Sequence, residues 1–188
     1  APNGRMVVDM GAGTTEIAVV SLGSVVSYHY IPAAGKMLNT SIINHIRRVH
    51  NVLIGEPTAE ALKIKLGTVE DVGSTEFMMV SGRELSKGLP VNIEVTSEHI
   101  RDAIYPSVQS IVEGISYTLE HIDPELSSDI ISNGILITGG TAMMPGWTSL
   151  IETAIGVKAE LSTIPLECVA AGCANSFDVL DELKRHSA

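Results

Sequence analysis

Aromatic residues are scarce: Phe, Trp and Tyr together make up 4% of 188 residues. With so few rings there is no stacking platform for single-stranded nucleic acid. Basic residues are also few. Twelve Lys+Arg stand against 22 Asp+Glu, a net charge of −10, whereas a surface that neutralises phosphates needs clustered Lys and Arg. The one basic cluster, Arg47-Arg48 between His45 and His50, is too small to change that, so nucleic acid is not an expected partner. Cysteine is limited to Cys168 and Cys173. Both fall in a predicted helix and read as small buried side chains, with no zinc-type spacing around them. No apolar run approaches the ~18 residues of a membrane span. The start, Ala1-Pro2-Asn3-Gly4, reads as a linker and not as a signal peptide. The expected location is therefore cytoplasmic, with no direct membrane contact from this chain. At 45% hydrophobic and 18% charged residues, disorder is excluded. The length suits one ordinary domain, or two small ones sharing a core.

Three short apolar segments open the chain: Met6–Asp9, Glu16–Leu22 and Ser24–Ile31. They read as strands, the first two joined by a glycine turn and the last two by a tight turn at Gly23-Ser24. Leu38, Ile42, Ile43, Ile46 and Val49 recur at helical spacing and predict a helix over 37–50. A second helix opens at Pro57 and stops near Gly67. Thr75–Val80 and Val91–Val95 read as strands. Thr96 or Ser97 caps a long helix carrying Ile100, Ile104, Val108, Ile111, Ile115 and Leu119 on one face. Pro106 is expected to bend or divide it, and it should end before Pro124. A buried strand, 134–138, a helix from Pro145 to Ile155, a strand at Val157–Leu161 and a helix from Pro165 to about Lys184 complete the order. The layout predicts an α/β unit of 1–35 joined with 96–188, and an insertion of 36–95.

Three motifs carry chemistry. In Asp9-Met10-Gly11-Ala12-Gly13-Thr14-Thr15-Glu16 the glycines let backbone N–H groups turn toward an anion. Thr14 and Thr15 can add hydroxyl donors, and Asp9 can hold Mg²⁺ through its waters. A plain β-hairpin would read the same way. No Gly-Lys-Ser/Thr follows, and a strand and not a helix comes next, so neither a Walker A loop nor a dinucleotide fingerprint is present. In the second motif a buried strand delivers Thr138-Gly139-Gly140-Thr141-Ala142-Met143 at its carboxyl end, where α/β sheets bind ligands. Paired glycines admit a flat base or ribose, and Met143 could cover one face; a strand-to-helix turn with both methionines in the core is the alternative. The third is Glu56-Pro57-Thr58-Ala59-Glu60-Ala61-Leu62-Lys63. Glu60 and Lys63 share a helix face and could meet adenine and ribose edges, or form a solvated ion pair.

In this order the motifs resemble the actin-like ATPase superfamily, and specifically its MreB-like bacterial actins. Asp9-x-Gly11-x-Gly13-Thr14-Thr15-Glu16 resembles their second phosphate loop. Ile42-Ile43-Asn44-x-Ile46-Arg47-Arg48 and Leu53-Ile54-Gly55-Glu56-x-Thr58-Ala59-Glu60-x-x-Lys63 resemble the helices that follow. Pro165-Leu166-x-Cys168-Val169-Ala170-x-Gly172 resembles the start of the last helix. The resemblance implies an α/β, ribonuclease H-like lobe with an inserted smaller subdomain: subdomain IIA over 1–35 and 96–188, IIB over 36–95. It implies ATP/ADP with Mg²⁺, a nucleotide contacted by Gly11, Ala12, Gly13, Thr14, Thr15, Glu60, Ala61, Leu62, Lys63, Gly139, Gly140, Thr141, Ala142 and Met143, and the metal near Asp9. Thr14 and Glu16 match positions near the γ-phosphate and would help orient water. The implied chain is the second lobe of a filament-forming ATPase for cell shape or organelle alignment. It would self-associate when whole, with cytoskeletal or membrane-associated proteins as further partners. By itself it is expected neither to turn over ATP nor to polymerise, and to leave the cleft floor around Ile137, Met143 and Met144 partly exposed.

Several positions depart from the MreB pattern. Ala12 stands where a third glycine is usual, Lys36 and Asn39 where acids are usual, and Thr141 in place of a glycine. They point to a divergent paralogue. A chaperone lobe of the heat-shock class and a non-enzymatic adaptor on the same fold are the competing readings.

Overall fold

A computed structural model describes residues 4–71, 73 and 75–178. Five strands form the larger sheet. β1 (Arg5–Met10), β2 (Thr15–Ser21) and β3 (Ser24–Ile31) run as an antiparallel meander. β7 (Ile135–Thr138) joins β1 in parallel and β8 (Ala159–Leu161) joins β7, giving the order β3-β2-β1-β7-β8. A second, three-stranded sheet is built from β4 (Val52–Leu53), β5 (Phe77–Glu84) and β6 (Pro90–Thr96). The two sheets share no strand, yet the apolar core is continuous between them. Alternation produces this in the meander: Met6, Val8 and Met10 of β1, and Ile17 and Val19 of β2, are buried. The helix α1 (Gly35–His50) adds Leu38, Ile42 and Ile46, and α3 (Ser97–Glu120) adds Ile100, Ile104, Val108, Ile111 and Ile115. The intervening α2 (Glu56–Leu66) contributes Ala59, Leu62 and Leu66.

Several sequence expectations are corrected. The β2–β3 turn is Leu22-Gly23, one residue earlier than expected, with φ of 52° and 78°; a two-residue hairpin turn of this hand needs positive φ at both central positions. Pro106 does not divide α3. It lies on the exposed side, so the carbonyl left without its amide faces water, while the apolar face holds the helix together on both sides. Thr96 is the cap: its hydroxyl accepts the His99 N–H at 3.3 Å, and its own N–H donates to His99 Nδ1 at 3.3 Å. Strand β5 runs past Gly82 because a Cβ there would lie 2.4 Å from Val52 Cγ1 and 2.8 Å from the Leu53 carbonyl, so glycine is what lets β4 approach. The helix α4 (Pro124–Asn133) was not anticipated; only Ile130 on it is buried, so it has no apolar stripe. A 3-10 turn at Thr141–Met143 precedes α5 (Trp147–Ile155), which starts two residues later than expected. The last described helix, α6 (Cys168–Asp178), begins after Pro165, and its expected end near Lys184 lies outside the described residues. Cys168 is half-buried and Cys173 exposed, both free, so neither is a core residue. Among the described residues no helix is long and apolar enough to cross a membrane.

Three histidines meet where α1 ends against the start of α3. His45 Nδ1 lies 3.3 Å from an Arg48 guanidinium nitrogen. A guanidinium only donates, so Nδ1 accepts and the neutral ring carries its proton on Nε2, which is buried without a partner. His50 Nε2 is likewise buried and unpartnered. The His99 ring centroid stands 6.2 Å from that of His45 and 5.0 Å from that of His50. Burial first, then Arg48, His99 and His50, holds His45 below the usual imidazole range, with Asp102 opposing; burial and then His99 do the same to His50. The folded rings stay neutral where the unfolded chain takes up protons, below pH about 6.5. Stability is therefore expected to be level above that pH and to fall as pH drops below it, before the carboxylates titrate. Urea midpoints at pH about 7.5 and about 5.5 test this, and His45→Gln should flatten the difference. Equal midpoints in the unsubstituted chain would show that the cluster does not report pH.

Candidate functional site

The site is assembled at the carboxyl end of two parallel strands. β1 and β7 pair with Asp9 opposite Thr138, so the loops following them emerge side by side. Gly139 has φ +90°, and a Cβ on it would lie 2.4 Å from the Met10 carbonyl and 2.5 Å from Asp9 Oδ1. Only glycine permits that approach. The loop after β1 closes on itself through Gly11 N–H to the Thr14 carbonyl at 3.0 Å. A Cβ on Gly13 would meet nothing within 4 Å, so its tip faces open space.

Gly35, the first residue of α1, is the meeting point. Its N–H donates to the Gly11 carbonyl at 3.2 Å, and the Lys36 N–H donates to the Ala12 carbonyl at 2.8 Å. Thr141 Oγ1 donates to the same Gly11 carbonyl at 2.8 Å. The Lys63 ammonium donates to the Gly35 carbonyl at 3.2 Å and to Glu60 Oε2 at 2.8 Å. Asn39 Nδ2 donates to that same Oε2 at 2.6 Å. One run of hydrogen bonds therefore joins the first glycine loop, the second glycine loop and the Glu60–Lys63 face, which are remote in sequence. The Lys63 side chain is 10% exposed and that of Glu60 45%, so the ammonium is enclosed while the carboxylate keeps one side in solvent. The bond from Lys63, ahead of that from Asn39, holds the Glu60 carboxyl below the usual range despite partial burial. At the other end Asp9 and Glu16 are register partners on adjacent strands. Burial first, then the charge of Glu16, raises the Asp9 carboxyl.

The residues named from sequence divide by what the structure leaves available. Ala12, Gly13, Glu16, Ala61, Gly140 and Met143 are exposed, and Thr14 is half-buried. Thr15 is fully buried and its hydroxyl donates to the Ala33 carbonyl at 2.6 Å, so it is not a free donor. The Leu62 side chain lies in the core, and Ala142 is 2% exposed. The Thr141 hydroxyl is committed to Gly11. Ile137 and Met144 are buried, contrary to the expected open floor; Met143 is the member of that trio at the surface. Neither Gly35 nor Asn39 is among the site residues named from sequence, Asn39 standing there only as a departure from the family pattern. Their signal was position: Gly35 opens α1, and Asn39 follows one turn later on the face toward α2. Among the described residues no three His, Cys, Asp or Glu side chains converge as a metal cluster. A depression of about 250 Å³ lined by Arg5, Asn133, Lys158 and Glu160 lies at the amino ends of β1 and β7, away from the glycine loops.

An α/β lobe of this strand order, with two glycine loops at one sheet end, is an actin-like fold. The family model for MreB/Mbl protein matches residues 1–185, and the chain belongs to the MreB/Mbl family. It is 41% identical over 184 residues to the cell shape-determining protein Mbl of Bacillus subtilis (strain 168), covering 98% of this chain and 55% of the relative. It is 36% identical over 178 residues to the cell shape-determining protein MreB of Escherichia coli (strain K12), covering 95% and 51%. The chain thus spans about half the length of the curated relatives it matches. Among solved structures, MreB5 of Spiroplasma citri bound to ADP superposes with a TM-score of 0.93 at 29% identity, over 98% of this chain and 56% of that one. The MamK double helical filament superposes at 0.71 and 22% identity, over 86% and 50%, a likeness of fold.

Proposed function

We propose that this chain is the second nucleotide-binding lobe of an actin-like cytoskeletal protein that binds ATP or ADP and forms filaments for cell shape or internal organisation. On this reading 1–35 and 96–188 form the main subdomain and 36–95 the inserted one. The observation that carries it is the hydrogen-bonded run through Gly11, Gly35, Lys63 and Glu60, with Thr141 joining at Gly11. It holds the first glycine loop, the Glu60 carboxylate and the second glycine loop in one frame. The frame suits a nucleotide. The open tip at Ala12-Gly13 offers backbone amides to phosphates, and the ionised Glu60 would take hydroxyl or amine donors while repelling phosphate. Met143 would lie against the base. Bound Mg²⁺ would neutralise phosphate charge, and Asp9, crowded by Glu16, would gain from a cation nearby. Thr14 and Glu16 are the candidates to orient water. The glycine loops lie on an open face, which suits one wall of a cleft; that wall by itself leaves the γ-phosphate in water, so ATP turnover by these residues alone is expected at background level.

The test is a titration of the ¹⁵N-labelled 188-residue chain with Mg-ATP. Shifts are expected at Gly11–Thr15, Glu60–Lys63 and Gly139–Met143, with no phosphate release above buffer. Shifts confined elsewhere, or none at millimolar ligand, would sink the reading. The family assignment favours it over the chaperone lobe. An adaptor would show no shifts.

A further inference from the structure

We propose that Asn39 is a positioning residue that aims the Glu60 carboxylate at the sugar of the bound nucleotide and so sets the preference for a hydroxylated sugar. The proposal rests on the nucleotide-binding reading above and extends it to a residue outside the glycine loops and outside the Glu60–Lys63 face.

The geometry is asymmetric at Glu60. Its Oε2 takes both internal bonds, from Asn39 Nδ2 at 2.6 Å and from Lys63 Nζ at 2.8 Å. Its Oε1 is used by neither. An ionised carboxylate has no proton to give, so Oε1, on a side chain 45% exposed, takes its donors from water or from a ligand that displaces it. Phosphate offers none at neutral pH; the vicinal hydroxyls of a ribose do. The orientation of the amide follows by the same logic: the nitrogen of Asn39 must face the carboxylate, because two acceptors cannot bond each other. That leaves Asn39 Oδ1 buried with no partner among the described residues, on a side chain 3% exposed. A buried acceptor left orphaned is unfavourable. Packing therefore does not account for an amide here, and the bond to Glu60 does. Lys63 cannot do the same work unaided. Its ammonium is also bound to the carbonyl of Gly35, the first residue of α1, so it ties Glu60 to the start of that helix, while Asn39 holds the carboxylate one turn further along it. An aspartate at position 39 would place a second carboxylate against Glu60 and draw Lys63 between them, turning Oε2 away.

Two measurements on the full 188-residue chain test this. The first needs no ligand: the Glu60 carboxyl is titrated by ¹³C NMR in the unsubstituted chain and in Asn39→Leu and Asn39→Asp. Both substitutions should move the titration upward, the first by losing a donor and the second by adding a like charge. An unmoved Glu60 in both overturns the proposal. The second compares Mg-ATP with Mg-2′,3′-dideoxyATP. The unsubstituted chain should favour ATP by about tenfold, the worth of one charge-assisted hydrogen bond. In Asn39→Leu the ATP affinity should fall while the dideoxy affinity holds, so the ratio approaches one. An equal loss for both ligands would show that Asn39 is merely structural, and an unchanged ratio would show that Glu60 needs no aiming; either overturns the inference and leaves the nucleotide reading standing. If the unsubstituted chain binds neither nucleotide, both fall together. An Asn39→Gln variant, which keeps the donor, should recover part of the ratio lost in Asn39→Leu.

Discussion

Gly139→Ala is expected to destabilise the chain by about 3 kcal/mol or more, while Gly140→Ala one residue later should change stability by less than about 0.5 kcal/mol. The contrast comes from backbone geometry. Gly139 sits at φ +90°, and an added methyl would press on the Met10 carbonyl and Asp9 Oδ1 at 2.4 and 2.5 Å. The first of these is strand backbone, held where Met10 pairs with Thr15 of β2, so neither a rotamer change nor a small side-chain shift relieves it. Spreading the strands would break the Asp9–Thr138 register that sets the two loops side by side. Gly140 has a right-handed backbone, and its Cβ would meet only Leu166 Cδ2 at 3.4 Å. Urea unfolding followed by circular dichroism gives both values. The same two variants should separate in the nucleotide titration, with Gly139→Ala losing the shifts at Gly11–Thr15 as well as those in its own loop. Equal losses of stability for the two substitutions would show that the close approach of the loops is not what glycine is needed for.

Truncation at Trp147 is the second large effect. It is the chain's single tryptophan, 1% exposed, and its Nε1 donates to the Thr141 carbonyl at 3.0 Å. The indole thus packs α5 into the core and holds the 3-10 turn of the second glycine loop. Trp147→Ala should cost about 3–5 kcal/mol, as large-to-small core changes do. Trp147→Phe keeps most of the apolar volume and removes the indole donor, leaving the Thr141 carbonyl with the Met144 N–H alone at 3.2 Å, a loss of about 0.5–1.5 kcal/mol. The informative readout is local. In Trp147→Phe the amides of 139–144 should shift and exchange faster, with the β2–β3 hairpin unaffected. If the loop amides are unchanged, the indole supports only the core, and the coupling of α5 to the site is absent.

Much of the molecule was legible before any coordinates. The meander, α1 and α3 follow from short apolar segments and helical spacing, α2 from Pro57 and Gly67 at its two ends, and the strand leading to Gly139 from its unbroken apolar run. The glycine motifs were legible because a loop that must approach another backbone cannot carry side chains. Elements that bury little went unread. Strand β4 is two residues long, and α4 has a single buried residue, so neither imposes a period. Pro106 leaves α3 undivided, because whether a proline breaks a helix depends on whether the freed carbonyl faces water or core, which only the packed helix decides.

The site divides the same way. Sequence by itself determined which groups could do chemistry: the two glycine loops, the Glu60–Lys63 helix face and Asp9, together with the family that their order resembles. The acidic balance and few aromatics, also read directly, carry the expectation that nucleic acid is not a partner. Only the tertiary structure decided which of these groups remain free to act. It spends the Thr15 hydroxyl on Ala33 and the Thr141 hydroxyl on Gly11, buries Leu62, Ile137 and Met144, and makes Gly35 the junction of three motifs. It also turns Asn39 from a departure in a pattern into the partner of Glu60. The reason is that residue types and spacing fix which hydrogen bonds are chemically possible, whereas the choice among them depends on distances between segments up to 130 positions apart in the chain, and those distances exist only once the common core has formed.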